Sequence, residues 1–74
     1  MGTKKKIEIN PKVMMGKPVI KGTRITVGLI LKKLSEGISK NDLLDAYPNI
    51  TEDDIQAALA YAAESLSFEE TVKL

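Results

Sequence analysis

The chain has 74 residues, 43% of them hydrophobic, with no cysteine, no histidine and three aromatic side chains. This is enough for one small domain with a thin core, since a chain of this size buries only about 60% of its unfolded surface, and it excludes disulfide staples, Cys/His zinc sites and histidine catalysis, leaving oligomerisation as the common route to extra stability. The formal charge of +1 is a cancellation: residues 1–33 carry nine of the eleven Lys and Arg against the single acid Glu8, a net +8, and residues 34–74 sum to −7, a split that points to two different partner surfaces.

The first 25 residues read as extended structure. Lys6-Ile7-Glu8-Ile9 alternates polar and apolar, the pattern of a half-buried strand. Asn10-Pro11 breaks it, and a loop runs through Gly16-Lys17-Pro18. Val19, Ile20 and Ile25 predict a second short, irregular strand, with Pro18 tolerated at its start because a first residue need not donate to the ladder. Two such strands are marginal alone and must pack on something or pair across a dimer.

From Thr26 the period changes. Val27, Ile30, Leu31 and Leu34 lie at i, i+3, i+4 and i+7, one face of a helix, with Thr26 as N-cap and Gly37 at the left-handed C-cap position. A second helix starts at Ser39, with Asp42 at N3, an Ile38–Leu43 staple and Leu43, Leu44 and Tyr47 as its buried side; Pro48 stops it. The same grammar repeats for a third helix of about 14 residues to Ser65: Thr51 is the N-cap, Asp54 is N3 and Ile50 staples to Ile55. Its apolar face is Ile55, Leu59, Ala62 and Leu66, with Ala58 beside it. Ala57, Ala60, Tyr61 and Ala63 make much of the remaining surface apolar too. A helix apolar nearly all round is usually buried on more than one side, so Ala57, Ala60 and Tyr61 are candidates for a dimer contact; alanine's plain preference for helix is the competing explanation.

The expected fold is therefore mainly α: a three-helix, helix-turn-helix-like domain over residues 1–66 with a short N-terminal β element, followed by a tail over residues 67–74. The tail alternates weakly through Phe68, Val72 and Leu74 and frays or adds to a partner. No stretch reads as a secretory signal, and Leu29-Ile30-Leu31 is far below the roughly 20 apolar residues of a membrane span, so a cytoplasmic location and no membrane contact are expected.

Catalysis is poorly supplied. The acids Asp42, Glu52, Asp53 and Asp54 sit at helix starts, where capping and the helix dipole account for them. They are too spread for a hard-cation site, and no cofactor or metal is expected. Gly16-Lys17-Pro18 and Gly22-Thr23-Arg24 lack the spacing of a phosphate loop, and Pro18 removes an N–H that such a loop would use. A trihelical unit often lays a helix in the DNA major groove. Basic groups on one surface would bind phosphates by counterion release. The third helix, usually the reader, opens here with Glu52, Asp53 and Asp54, which phosphate repels, and leaves Asn49, Thr51 and Gln56 as comfortable base readers. The charge facing DNA is therefore expected on the N-terminal arm, the strands and the first helix. The candidate DNA contacts are Lys17, Lys21, Thr23, Arg24, Lys32, Lys33 and Lys40. With so few aromatics there is no stacking platform for single strands.

The stretch Asn10-Pro11, then Gly16-Lys17-Pro18-Val19-Ile20-Lys21-Gly22-Thr23-Arg24-Ile25-Thr26-Val27, resembles the domain-of-unknown-function 433 family. Leu34, Gly37, Tyr47-Pro48, Ile50-Thr51, Asp54-Ile55 and Ala58-Leu59-Ala60-Tyr61 continue the resemblance, which covers about residues 7–63. Met14-Met15 departs from it where relatives often carry smaller residues. The resemblance implies a helix-turn-helix-like fold and an antitoxin-like role beside a toxin resembling PIN-domain ribonucleases, with a homodimer binding its operator and a C-terminal segment neutralising the toxin. It carries over no residue roles. The leading expectation is a non-enzymatic DNA-binding antitoxin or transcriptional regulator whose basic half contacts DNA and whose acidic half contacts the toxin through Leu66, Phe68, Val72 and Leu74. The alternative is a protein-interaction module without nucleic-acid binding, favoured by the acidic third helix.

Overall fold

The computed structural model describes residues 6–66; Phe68, Val72 and Leu74 lie outside them. The order is β1 (Ile7–Glu8), a 3-10 turn (Met14–Gly16), β2 (Val19–Ile20), α1 (Val27–Ser35), α2 (Lys40–Ala46) and α3 (Glu52–Ser65). The fold is mainly α, three helices with a two-stranded antiparallel sheet near the N-terminus. No described helix is long and apolar enough to cross a membrane.

β1 pairs with β2 in the register Ile7 opposite Ile20 and Glu8 opposite Val19. The chain then reverses at once. The Thr23 N–H donates to the Ile20 carbonyl at 2.9 Å and the Ile20 N–H to the Ile25 carbonyl at 2.9 Å, closing a tight turn with Gly22 at φ +83. Val19 bridges Thr26 on the return, so β2 lies between two neighbours and both its side chains are buried. β1 is shorter than its alternation predicts: pairing ends at Glu8, and Ile9 is 57% exposed. Asn10 turns the chain away, its side-chain oxygen accepting from the Lys12 N–H at 2.9 Å.

All three helix starts carry the predicted caps. The hydroxyls of Thr26 and Ser39 accept from the N–H groups of Leu29 and Asp42 at 3.0 and 3.1 Å. At α3 the capping box is complete: Thr51 Oγ1 accepts from the Asp54 N–H at 3.2 Å, and the Asp54 carboxylate accepts from the Thr51 N–H at 2.9 Å. α1 ends in a Schellman motif. Gly37 has φ +92, its N–H donates to Leu34 at 3.0 Å, and the Ile38 N–H reaches back to Lys33 at 3.2 Å.

The core joins both halves. Ile7, Ile20 and Ile25 from the sheet and its turn cluster with Val27 and Ile30 of α1, Leu43 of α2, and Ile50, Ile55, Ala57 and Ala58 at and in α3. The inward face of α3 differs from the predicted one. Ala57, expected on a second, partner-facing side, is 7% exposed and belongs to the chain's own core, whereas Leu59, expected inside, is 37% exposed. An Ile55–Ala57–Ala58 face lets α3 approach its neighbours closely through small side chains, and that rotation turns Leu59 outward.

Candidate interaction groove

The sequence assigns its candidate residues to three separate tasks: DNA contact, partner contact and dimer contact. In space, one residue or more from each group meets at one place. Lys17 and Pro18 follow the 3-10 turn, the first turns of α1 supply Val27, Gly28, Leu29 and Leu31, and the end of α3 supplies Tyr61, Ala62 and Leu66. Together they line an open groove of about 720 Å³, with Lys32 beside them. Lys17 and Lys32 are its charged lining residues, and both are exposed. Their stems can cover apolar surface while their ammonium groups stay in water. Two lining hydroxyls are occupied within the chain. Thr26 caps α1, and the Ser65 hydroxyl donates to the Tyr61 carbonyl at 2.9 Å. Apart from the Tyr61 phenol, the rest of the lining is apolar, suited mainly to hydrocarbon.

Local backbone chemistry places Lys17 there. Met14, Met15 and Gly16 have φ of +50, +57 and +84, a left-handed run. For the two methionines this conformation costs about 1–2 kcal/mol each. The Gly16 and Lys17 N–H groups donate to Val13 and Met14 at 3.1 Å each, which holds the run. Met15 is 87% exposed, so the bulk at this departure from the resembled family pattern is turned to solvent and asks no room of the core.

The other predicted DNA contacts are placed differently. Lys21 and Arg24 stand exposed on the turn after β2. Thr23 is on the same turn, but its hydroxyl is engaged locally, donating to Ile20 at 2.8 Å and accepting from the Ile25 N–H at 2.9 Å. Lys33 is half-buried on α1. Lys40 pairs with Glu52 at 3.3 Å and so is tied to the acidic start of α3. Lys6 approaches Asp54 at 3.9 Å. Lys17, Lys21, Arg24, Lys32 and Lys33 take part in neither of these ion pairs. Among the dimer candidates, Ala60 is exposed and Tyr61 is half-buried against the core. Leu66, the one partner-contact candidate within the described residues, is 58% exposed at the lip of the groove.

Sequence reasoning missed Pro18, Val27, Gly28, Leu29, Leu31 and Ala62 as groove residues. One signal was present: Gly28 is a glycine inside a helix pattern with no cap to make.

The model of the family described as "Protein of unknown function (DUF433)" matches residues 7–62. Among solved structures, the chain is similar to a crystal structure of a DUF433 member protein from Anabaena variabilis ATCC 29413, with 33% identity and a TM-score of 0.76. The match covers 86% of this chain and 62% of that one, so the chain spans somewhat under two thirds of that relative's length. No curated protein matches.

Proposed function

The chain belongs to the DUF433 family of proteins of unknown function, and on that premise we propose that it is a non-enzymatic DNA-binding antitoxin or transcriptional regulator of a toxin–antitoxin pair. The observation that carries this reading is how the two halves use their charges. Acids at the helix starts of the C-terminal half are employed by the fold: Asp54 closes a capping box, Glu52 holds Lys40, and Asp42 lies in the first turn of α2. The exposed bases Lys17, Lys21, Arg24 and Lys32 have no such employment and are available to phosphate. In this reading the turn after β2 and the flank of α1 meet the DNA backbone, and the acidic start of α3 faces away. The acidic segment after Leu66 meets a toxin resembling a PIN-domain ribonuclease, and the protein acts as a homodimer in the cytoplasm.

The test is binding of the full chain to the DNA upstream of its own gene, measured by fluorescence anisotropy at 50 and 200 mM salt. With about five phosphates neutralised, affinity should fall on the order of 10²–10³-fold between the two. A flat response removes the electrostatic model. The apolar groove favours a second reading, a protein-interaction module with no nucleic-acid role. Absence of DNA binding together with capture of a protein partner through the groove would select it.

A further inference from the structure

We propose that the groove between Pro18, α1 and the end of α3 is a docking site for the chain's own residues 67–74, held by apolar insertion and by Lys17 and Lys32 against Glu69 and Glu70. The claim does not depend on DNA or toxin binding.

Four observations converge. The chemistry of the groove selects its occupant: a largely apolar lining with two exposed lysines, and with the Thr26 and Ser65 hydroxyls engaged within the chain, fits a segment that is apolar and acidic. Ser67-Phe68-Glu69-Glu70-Thr71-Val72-Lys73-Leu74 has that composition. The second observation is continuity, since Leu66 already lines the groove and the segment starts at the site. Fully extended, eight residues reach about 26–29 Å, whereas the α3 wall from Tyr61 to Leu66 rises about 7.5 Å, so the segment can turn back and cover it. Third, the tether favours the chain's own segment over a second copy's, because a short linker gives an effective concentration in the mM range, well above that of a protein free in solution.

Gly28 is the fourth observation. It lies inside α1, where glycine costs about 0.5–1 kcal/mol relative to alanine. Its backbone is ordinary helix, and a Cβ built there would meet nothing within 4 Å. Nothing in the described packing requires glycine, yet the residue lines the groove and leaves it open. The fold gives no account of Gly28; an occupant does. Docking would cover Leu66 and place Glu69 and Glu70 near Lys17 and Lys32.

The chain has no tryptophan, so Phe68→Trp in the full chain is a single reporter. Docking predicts a blue-shifted emission and acrylamide quenching several-fold below that of free tryptophan, both independent of protein concentration. Adding Gly28→Leu should red-shift the emission and raise quenching with the far-UV circular dichroism unchanged. If that variant does not fold, Lys17→Ala with Lys32→Ala, both at exposed positions, replaces it and should raise quenching at low salt. A reporter indole exposed from the outset overturns the proposal, as does a buried one indifferent to both groove variants. Burial that grows with concentration alongside a dimer also overturns it, by assigning the groove to a second copy's segment.

Discussion

The region from Ile7 to Thr26 and the helical region from Val27 to Leu66 are built in different ways. The first has two-residue strands, an Asx turn and a left-handed run, and it buries four side chains, Ile7, Val19, Ile20 and Ile25. Each helix of the second begins on a side-chain cap, and at the start of α3 the acids also hold the helix end and lysines: Asp54 closes the capping box and Glu52 pairs with Lys40. The first region's shape thus comes from hydrogen bonds of the backbone and of the uncharged Asn10 and Thr23 side chains, with the Lys17, Lys21 and Arg24 side chains outside them; in the second region Glu52, Asp54 and Lys40 are part of the scaffold at the start of α3, while the Lys32 side chain is not. A sequence that sums to +1 therefore holds exposed bases outside these ion pairs, Lys17, Lys21, Arg24 and Lys32, and acids engaged at the start of α3.

The contrast can be broken at several points. Ile30 is fully buried and clusters with residues of both regions. Ile30→Ala should cost about 2–5 kcal/mol, a large share of the roughly 4–11 kcal/mol expected for a chain of this length. Helical circular dichroism and amide protection of β2 should be lost together; two separate transitions would show that the regions are independent. Lys21→Glu with Arg24→Glu should leave the melting temperature unchanged and weaken DNA binding at least about tenfold, with a salt slope shallower by about two. A large loss of stability instead would mean that the turn charges are structural after all.

Smaller effects probe the acidic side. Thr51→Ala removes the hydroxyl half of the capping box and should cost about 1 kcal/mol in denaturant unfolding, with no change in salt-dependent DNA binding. Lys40→Met breaks the exposed pair with Glu52 and should change stability by about 0.2–1 kcal/mol, less at high salt. If it weakened DNA binding as much as the Lys21 and Arg24 changes do, Lys40 would belong with the free bases despite its partner.

Helix starts were legible because capping is local: Thr26, Ser39 and Thr51 each act on a group three residues on, and Gly37 serves the turn just before it. Which side of α3 faces inward was not legible. Ala57 and Leu59 could exchange roles on a helix that is apolar nearly all round, and the choice depends on where α1 and α2 lie. The outward turn of Ile9 was hidden for a similar reason, since alternation does not say where pairing stops. Of the candidate site, the exposed bases were legible by charge alone. The engagement of the Thr23 hydroxyl and the Lys40–Glu52 pair were not, because each needs a partner's position in space.

By itself, the sequence determined the helix starts, the caps and the division of charge, because these rest on residue type and on contacts a few positions apart. The tertiary structure alone brought Lys17, Lys32, Tyr61 and Leu66 to one groove. Those residues are up to 49 positions apart, and their meeting depends on the packing angle of α1 against α3, which local pattern does not specify.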